Sequence, residues 1–190
     1  MKIDIKKAPV TAMLIGASLL TLKTSRIMAQ PPNAQQTLTR GDKAPDFSLQ
    51  DQDGNTFTLS DVVGKNKLVI FFYPKDESHV CTTEACAFRD NYDQFKKAGA
   101  MVIGINSGTA ESHLKFIEHH KLPYTLLSDP GNKVLKMFGV KTKFFITGRE
   151  TFVVDKTGKI VFTFDSFTNA TAHEKEALTF IKNMQTNPHS

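Results

Sequence analysis

The chain has 190 residues, with 24 Lys+Arg against 19 Asp+Glu, a formal net charge of +5 and 40% hydrophobic residues. The length suits one domain with a tail, and the composition excludes collagen-like, fully disordered and polytopic membrane proteins. Two cysteines, Cys81 and Cys86, are too few for a zinc cage or a disulfide scaffold.

A sequence pI near 9.1 hints at nucleic acid or anionic lipid. The charge distribution weakens that hint. Lys2, Lys6, Lys7, Lys23 and Arg26 against Asp4 put +4 of the +5 in the first 26 residues, leaving the remainder nearly neutral. No nucleic-acid partner is expected. The basic start is followed by 13 apolar-rich residues, 10–22, and a small residue at Ala29. This is the pattern of a signal peptide or membrane-targeting leader over residues 1–29, too short to span a bilayer comfortably but able to contact one. The expected location is extracytoplasmic, in a periplasm or thylakoid lumen. Lys23 and Arg26 keep open an uncleaved anchor, a transit peptide or a mis-assigned start, and so an organellar or cytoplasmic location. Residues 30–39 read as a linker, and residues 40–187 as the folded domain.

Within that domain, residues 46–49 and 56–59 alternate around the turn Asp53-Gly54, predicting a β-hairpin. Residues 67–73 are a β-branched and aromatic run, predicting a central strand buried on both faces and ended by Pro74. Ala85, Phe88, Tyr92 and Phe95 recur at steps of three and four, predicting one helix over 81–97 closed by Gly99. A buried strand follows at 100–105, then a helix at 109–120 with Leu114 and Ile117 on one side, a short strand at 124–127 and a short helix at 132–138. Strands at 151–154 and 160–164 flank the turn 155–158, and an amphipathic helix over 172–184 closes the domain. The order predicts an α/β fold, a central mixed sheet flanked by helices, with an N-terminal hairpin.

Cys81 follows the buried strand and a loop, at the first turn of the predicted helix. Ligands of open α/β sheets bind beyond the carboxyl ends of strands. Unpaired N–H groups at a helix start favour an anion, and the thiolate is the nucleophilic form of cysteine. Cys81 is therefore the better nucleophile of the two. On a regular helix residues five apart are separated by about 7.5 Å of rise and ~140° of turn, with Cα atoms roughly 8–9 Å apart. A disulfide needs about 7 Å or less, so the pair can bond only if the first turn unwinds. A pair that cycles between thiol and disulfide would use such a rearrangement. Two buried, inert thiols are the alternative.

The stretch Pro74, Ser78, Cys81 resembles the peroxiredoxin pattern of Pro, three residues, Thr or Ser, two residues, Cys. Cys86 and the following Phe88-Arg89-Asp90 make it similar to the peroxiredoxin Q, or bacterioferritin comigratory protein, branch. The resemblance continues through Val102 to Ile105, Leu122 to Asp129, Gly131 to Val134 and Gly148-Arg149-x-Thr151-Phe152, the last of a plant and cyanobacterial form. It covers roughly residues 40–183. It implies a thioredoxin-like fold and a thiol-specific peroxidase for hydrogen peroxide and alkyl hydroperoxides, in antioxidant defence. Cys81 would be the peroxidatic residue and Cys86 the resolving one, forming an intramolecular disulfide reduced by thioredoxin or a similar dithiol. The Ser78 hydroxyl would accept from peroxide and donate to the thiolate, Arg149 would hold the thiolate and polarise the peroxide, and Pro74 would shape the pocket. No metal or organic cofactor is implied, and a monomer is expected.

The branch usually carries Pro-Gly where this chain has His79-Val80, which changes loop stiffness and bulk before Cys81. His79 reads as a solvated loop residue. His79, Cys81 and Cys86 together supply three metal-ligand types without a fourth. His119-His120 are adjacent and expected on different helix sides, a poor chelate. Phe144-Phe145 read as packing residues. The rival function is a disulfide carrier or redox sensor using the same cysteines, or a protein that kept the fold and binds something else. Carriers usually space their cysteines Cys-x-x-Cys, and the four intervening residues here favour the peroxidase.

Overall fold

The computed structural model describes residues 36–142 and 146–186. The leader 1–29 and Phe144-Phe145 lie outside the described residues.

A seven-stranded mixed sheet forms the middle layer, in the order β2-β1-β5-β4-β3-β6-β7. The strands are β1 Ser48–Asp51, β2 Thr56–Thr58, β3 Lys67–Phe72, β4 Ala100–Asn106, β5 Thr125–Ser128, β6 Glu150–Val154 and β7 Ile160–Asp165. β3, β4 and β5 run parallel, while β6 pairs antiparallel with β3 and β7 with β6. Both hairpins form, and β1 also pairs antiparallel with β5. The helices are α1 Leu59–Val62, α2 His79–Asp90, α3 Tyr92–Lys97, α4 Ala110–His120, α5 Lys133–Met137 and α6 Ala170–Thr186.

Strand β3 explains the layering. Its alternation sends Val69, Phe71 and Tyr73 into one core and Leu68, Ile70 and Phe72 into the other. All six are fully buried, as the continuous apolar run predicted. On the first face Phe71 stacks on Phe88 of α2 with centroids 4.5 Å apart. Cys81, Ala85 and Phe88 occupy one stripe of α2 at steps of four and three, and all belong to this core.

Several boundaries differ from the sequence reading. The helix expected over 81–97 is two helices, broken at Asn91 (φ −109°, ψ 8°). Asn competes with helical backbone through its own side chain and favours caps. The first of the two begins at His79, so Cys81 is its third residue. Leu59 opens the short α1 rather than extending β2. On α4, Leu114 is exposed and Ile117 only half-buried, while His113 and Phe116 turn inward. The polar His113 is drawn in by a buried carboxylate described below.

Of the segment read as a linker, residues 36–39 are described, and they are held to the end of α5. Leu38 N–H donates to Phe138 O (3.0 Å) and the Thr37 hydroxyl to Gly139 O (2.7 Å). Gly139 lies in the left-handed region (φ +68°), and a Cβ there would stand 2.4 Å from Gln36 O. Gly139→Ala should therefore destabilise by clearly more than the ~1–2 kcal/mol of a left-handed alanine. Gly131→Ala (φ +77°), where nothing lies within 4 Å of the added carbon, should show only that backbone part. Urea denaturation of the two variants measures the difference.

Candidate active site

The site forms at the carboxyl end of β3, where Pro74 ends the strand and the chain runs through a short loop into α2. Ser78 is the N-cap of α2, with extended backbone and no side-chain capping bond. The first helical N–H groups therefore lack intrahelical and capping partners, and no acidic residue occupies the first turn. That end of the helix is electropositive. Cys81 sits on the core side of this turn, 2% exposed.

Arg149, immediately before β6, enters the same core. It is buried, and its Nη2 donates to Cys81 Sγ at 3.2 Å. A guanidinium cannot be neutralised in a protein. Buried beside a sulfur, it stabilises negative charge there more strongly than it would in water. Its Nη1 donates to Oε2 of Glu84, one helical turn beyond Cys81 on the same face. Burial pushes the Glu84 carboxyl up to about 8 although the Arg149 charge opposes the shift. Burial thus favours the protonated carboxyl and Arg149 the ionised one, and the guanidinium is shared between Glu84 and the sulfur.

Behind Glu84 stands His173 of α6, fully buried. Its Nε2 lies 2.8 Å from Ser166 O, a pure acceptor, so Nε2 carries the proton. Nδ1 then accepts from the Thr151 hydroxyl (2.9 Å) and lies 3.6 Å from Glu84 Oε1. Burial lowers His173 to about 4, so the ring is neutral and its contact with Glu84 is no ion pair.

The loop is held by a second buried carboxylate. Asp76 Oδ1 accepts from the Tyr73 hydroxyl (2.7 Å) and Asn106 Nδ2 (2.8 Å). Its Oδ2 accepts from Ser112 Oγ (2.6 Å) and meets His113 Nδ1 at 2.9 Å. Burial by itself would raise the Asp76 carboxyl, but the hydrogen bonds from His113, Ser112 and Tyr73 outweigh it and hold it at about 2. The stabilisation is present above the unfolded value of about 3.9 and is lost as pH falls through about 2.

Of the residues singled out from the sequence, the fold brings Cys81 and Arg149 into contact. Cys86 lies in the same helix, half-buried, and both cysteines are free thiols. Pro74 is half-buried at the loop's start. The Ser78 hydroxyl donates to Lys75 O (3.2 Å). Its one hydrogen is thus committed to the loop rather than to the Cys81 sulfur in this arrangement. His79 and the 40%-exposed Val80 line an open groove with Thr83 and residues 168–171. His119 and His120 do not diverge as expected. They converge on Glu77, using Nδ1 of one ring and Nε2 of the other.

Sequence reasoning missed Asp76, Glu84 and His173. Glu84 had a signal, three residues after Cys81 on the core face of a helix. His173 stands four and eight residues before the buried Ala177 and Ile181, a polar residue in an apolar stripe.

The AhpC/TSA family model matches residues 40–163. The chain is 45% identical over 150 residues to the chloroplastic peroxiredoxin Q of Sedum lineare, covering 78% of this chain and 80% of that one. It is 47% identical over 147 residues to the chloroplastic peroxiredoxin Q of Arabidopsis thaliana, covering 76% and 68%. Among solved structures, peroxidoxin BcpB from Mycobacterium tuberculosis superposes with a TM-score of 0.73 at 34% identity, over 77% of this chain and 98% of that one.

Glu84 offers a pH test. The folded state keeps a proton that the unfolded chain releases near pH 4.3, so this carboxyl lowers stability as pH rises toward about 8. Denaturation between about pH 6 and 9 should show the wild type losing roughly 1–3 kcal/mol more than Glu84→Gln, which keeps the shape and cannot ionise. Parallel curves for the two proteins would refute the buried protonated carboxyl.

Proposed function

The chain belongs to the AhpC/TSA family and is a thioredoxin-dependent thiol peroxidase of the peroxiredoxin Q type with a thioredoxin-like fold, and within that activity we propose that Cys81 attacks the peroxide, Cys86 resolves the product and Arg149 holds the charge. The observation that carries this division of labour is the buried contact between Arg149 Nη2 and Cys81 Sγ, 3.2 Å, at the electropositive start of α2.

The Cys81 thiolate attacks the nearer oxygen of hydrogen peroxide or an alkyl hydroperoxide. An S–O bond forms, the O–O bond breaks, and the departing oxygen leaves with its electron pair and takes a proton as water or alcohol. Arg149, with five donors in a fixed fork, stabilises the sulfur before attack and the oxygen charge that develops during it. Pro74, half-buried where β3 ends, keeps the loop's start rigid. The Ser78 hydroxyl, bonded to Lys75 O, positions the N-cap and retains acceptor capacity toward a peroxide proton.

Cys81 is then a sulfenic acid. Both cysteines lie on one continuous helix five positions apart, so bonding requires the first turn of α2 to open. Cys86 sulfur attacks the Cys81 sulfur, an S–S bond forms, the S–O bond breaks and water leaves. A thioredoxin-type dithiol restores both thiols by exchange. The chain works as a monomer in this reading, since both cysteines belong to one helix.

For the leader we propose targeting out of the cytoplasm to a periplasm or thylakoid lumen. The chloroplastic names of the relatives favour a plastid. N-terminal sequencing of the mature protein, with fractionation, should find a start near Gln30. Intact residues 1–29 on the cytoplasmic protein would overturn that destination.

Stopped-flow mixing of reduced protein with peroxide tests the site. Cys81→Ser should abolish thiol oxidation, and Cys86→Ser should complete one turnover and stall as a sulfenic acid. Arg149→Lys, losing the fork but keeping the charge, should slow the first step by about a hundredfold, the order lost with one donor of a preorganised anion site. An active Cys81→Ser protein would assign the nucleophile wrongly. Oxidation without repeated turnover in the presence of reductant would point to a carrier.

A further inference from the structure

Glu77, His119 and His120 play no part in the chemistry above, yet they meet at one point. Glu77 is in the loop just before the Ser78 N-cap and adopts φ +58°. Its carboxylate turns to the end of α4. His119 Nδ1 lies 3.1 Å from Oε1, and His120 Nε2 lies 2.9 Å from Oε2. One ligand atom from each residue falls within 4.8 Å of the others. The His119 side chain is 70% exposed, Glu77 47% and His120 17%, so the cluster is open to ions from solution.

The spacing has a chemical meaning. Two ligands bound at about 2.0–2.2 Å around a tetrahedral Zn2+ are roughly 3.3 Å apart. His119 is near that edge length from Oε1 and His120 from Oε2, so the carboxylate would ligate through both oxygens or turn to offer one. The rings now direct N–H groups at the carboxylate, and a cation would take the place of those hydrogens, with each imidazole offering a lone pair instead. Two neutral imidazoles and one carboxylate are a donor set for Zn2+, Cu2+ or Ni2+ rather than Ca2+ or Mg2+. The carboxylate and the negative end of α4 favour a cation there. Arg89 opposes it, donating to His120 O at 2.8 Å, though it is paired with Asp90.

We propose that Glu77, His119 and His120 form a binding site for a first-row divalent cation of the Zn2+ class, and that the bound ion ties the loop ahead of Cys81 to the end of α4. Two of its ligands come from α4 and the third adjoins the N-cap of α2. Occupancy therefore restrains the loop from which the first turn of α2 must unwind. Any effect on turnover rests on the proposed resolving step, whereas the binding itself does not. Affinity falls on acidification, as protons compete for the imidazole nitrogens.

The test uses the untagged chain with Cys81→Ser and Cys86→Ser, so that thiolates cannot bind the metal and the cysteine roles do not enter the result. Titration calorimetry with ZnCl2 near neutral pH should give one saturable site per chain. Adding His119→Ala, at an exposed position, should weaken it at least tenfold with no change in fold. Co2+ should give a visible spectrum of nitrogen and oxygen ligation. Hydrogen exchange at residues 75–78 should slow when Zn2+ is bound. Absence of saturable binding, or equal binding in the His119→Ala protein, overturns the site. Binding with unchanged exchange in the loop overturns the tie.

Discussion

A permanent positive charge buried against the Cys81 sulfur is the constraint around which this protein is arranged. Arg149 is 3% exposed, and an isolated buried guanidinium would be strongly destabilising. It is tolerable because two partners share it, Cys81 on one side and Glu84 on the other. The two are three residues apart on α2, so one helical stripe presents both to the same fork. Burial raises the Glu84 carboxyl to about 8 against the opposing Arg149 charge, which weakens its claim on the arginine. The chemistry and the fold's stability therefore meet in one side chain.

Placement of that side chain depends on the sheet. β3 and β6 are antiparallel neighbours, so the end of β3, which leads to Cys81, lies beside the start of β6, which follows Arg149. Phe72 pairs with Glu150, next to Arg149 in sequence. Strand register and the packing of α2 together bring residues 68 positions apart in the chain to hydrogen-bond distance. α6 then covers the cluster and supplies a neutral His173 whose tautomer is fixed by Ser166 O and Thr151.

Much of this was legible in the sequence, and the reasons are local. Seven strands and the principal helices follow from periodicity and turn residues, because β3 is a continuous apolar run and β4 and α2 carry strong apolar patterns. The cysteine spacing was legible as geometry on a helix. The contacts that distinguish the site were not. Asp76 gathers donors from β3, β4 and α4, and no spacing rule joins residues 73, 106, 112 and 113. His113 was hidden because an inward polar residue looks like an outward one, and the pattern was assigned to Leu114 and Ile117. The break at Asn91 depends on one cap residue within an otherwise continuous stripe. The meeting of Glu77 with His119 and His120 needs a left-handed non-glycine residue, which the sequence does not announce.

The buried networks also determine where the molecule can open. Upstream, the four partners of Asp76 fix the loop after β3. Downstream, Phe88 stacked on Phe71 and the Tyr124 hydroxyl bonded to Ala85 O (2.7 Å) fix the second half of α2. Between them lies only the first turn, with an uncapped start and its main inward anchor at Cys81. On the proposed cycle that anchor weakens when it has to. A thiolate and a guanidinium attract as opposite charges, whereas a neutral sulfenic acid keeps only a hydrogen bond from the guanidinium. Loss of that charge–charge attraction shifts the equilibrium toward the open turn. Oxidation of Cys81 thus loosens the turn that keeps it from Cys86, and reduction restores the charge that closes it. A capped helix start, or a guanidinium held by sulfur in both oxidation states, would lack this coupling.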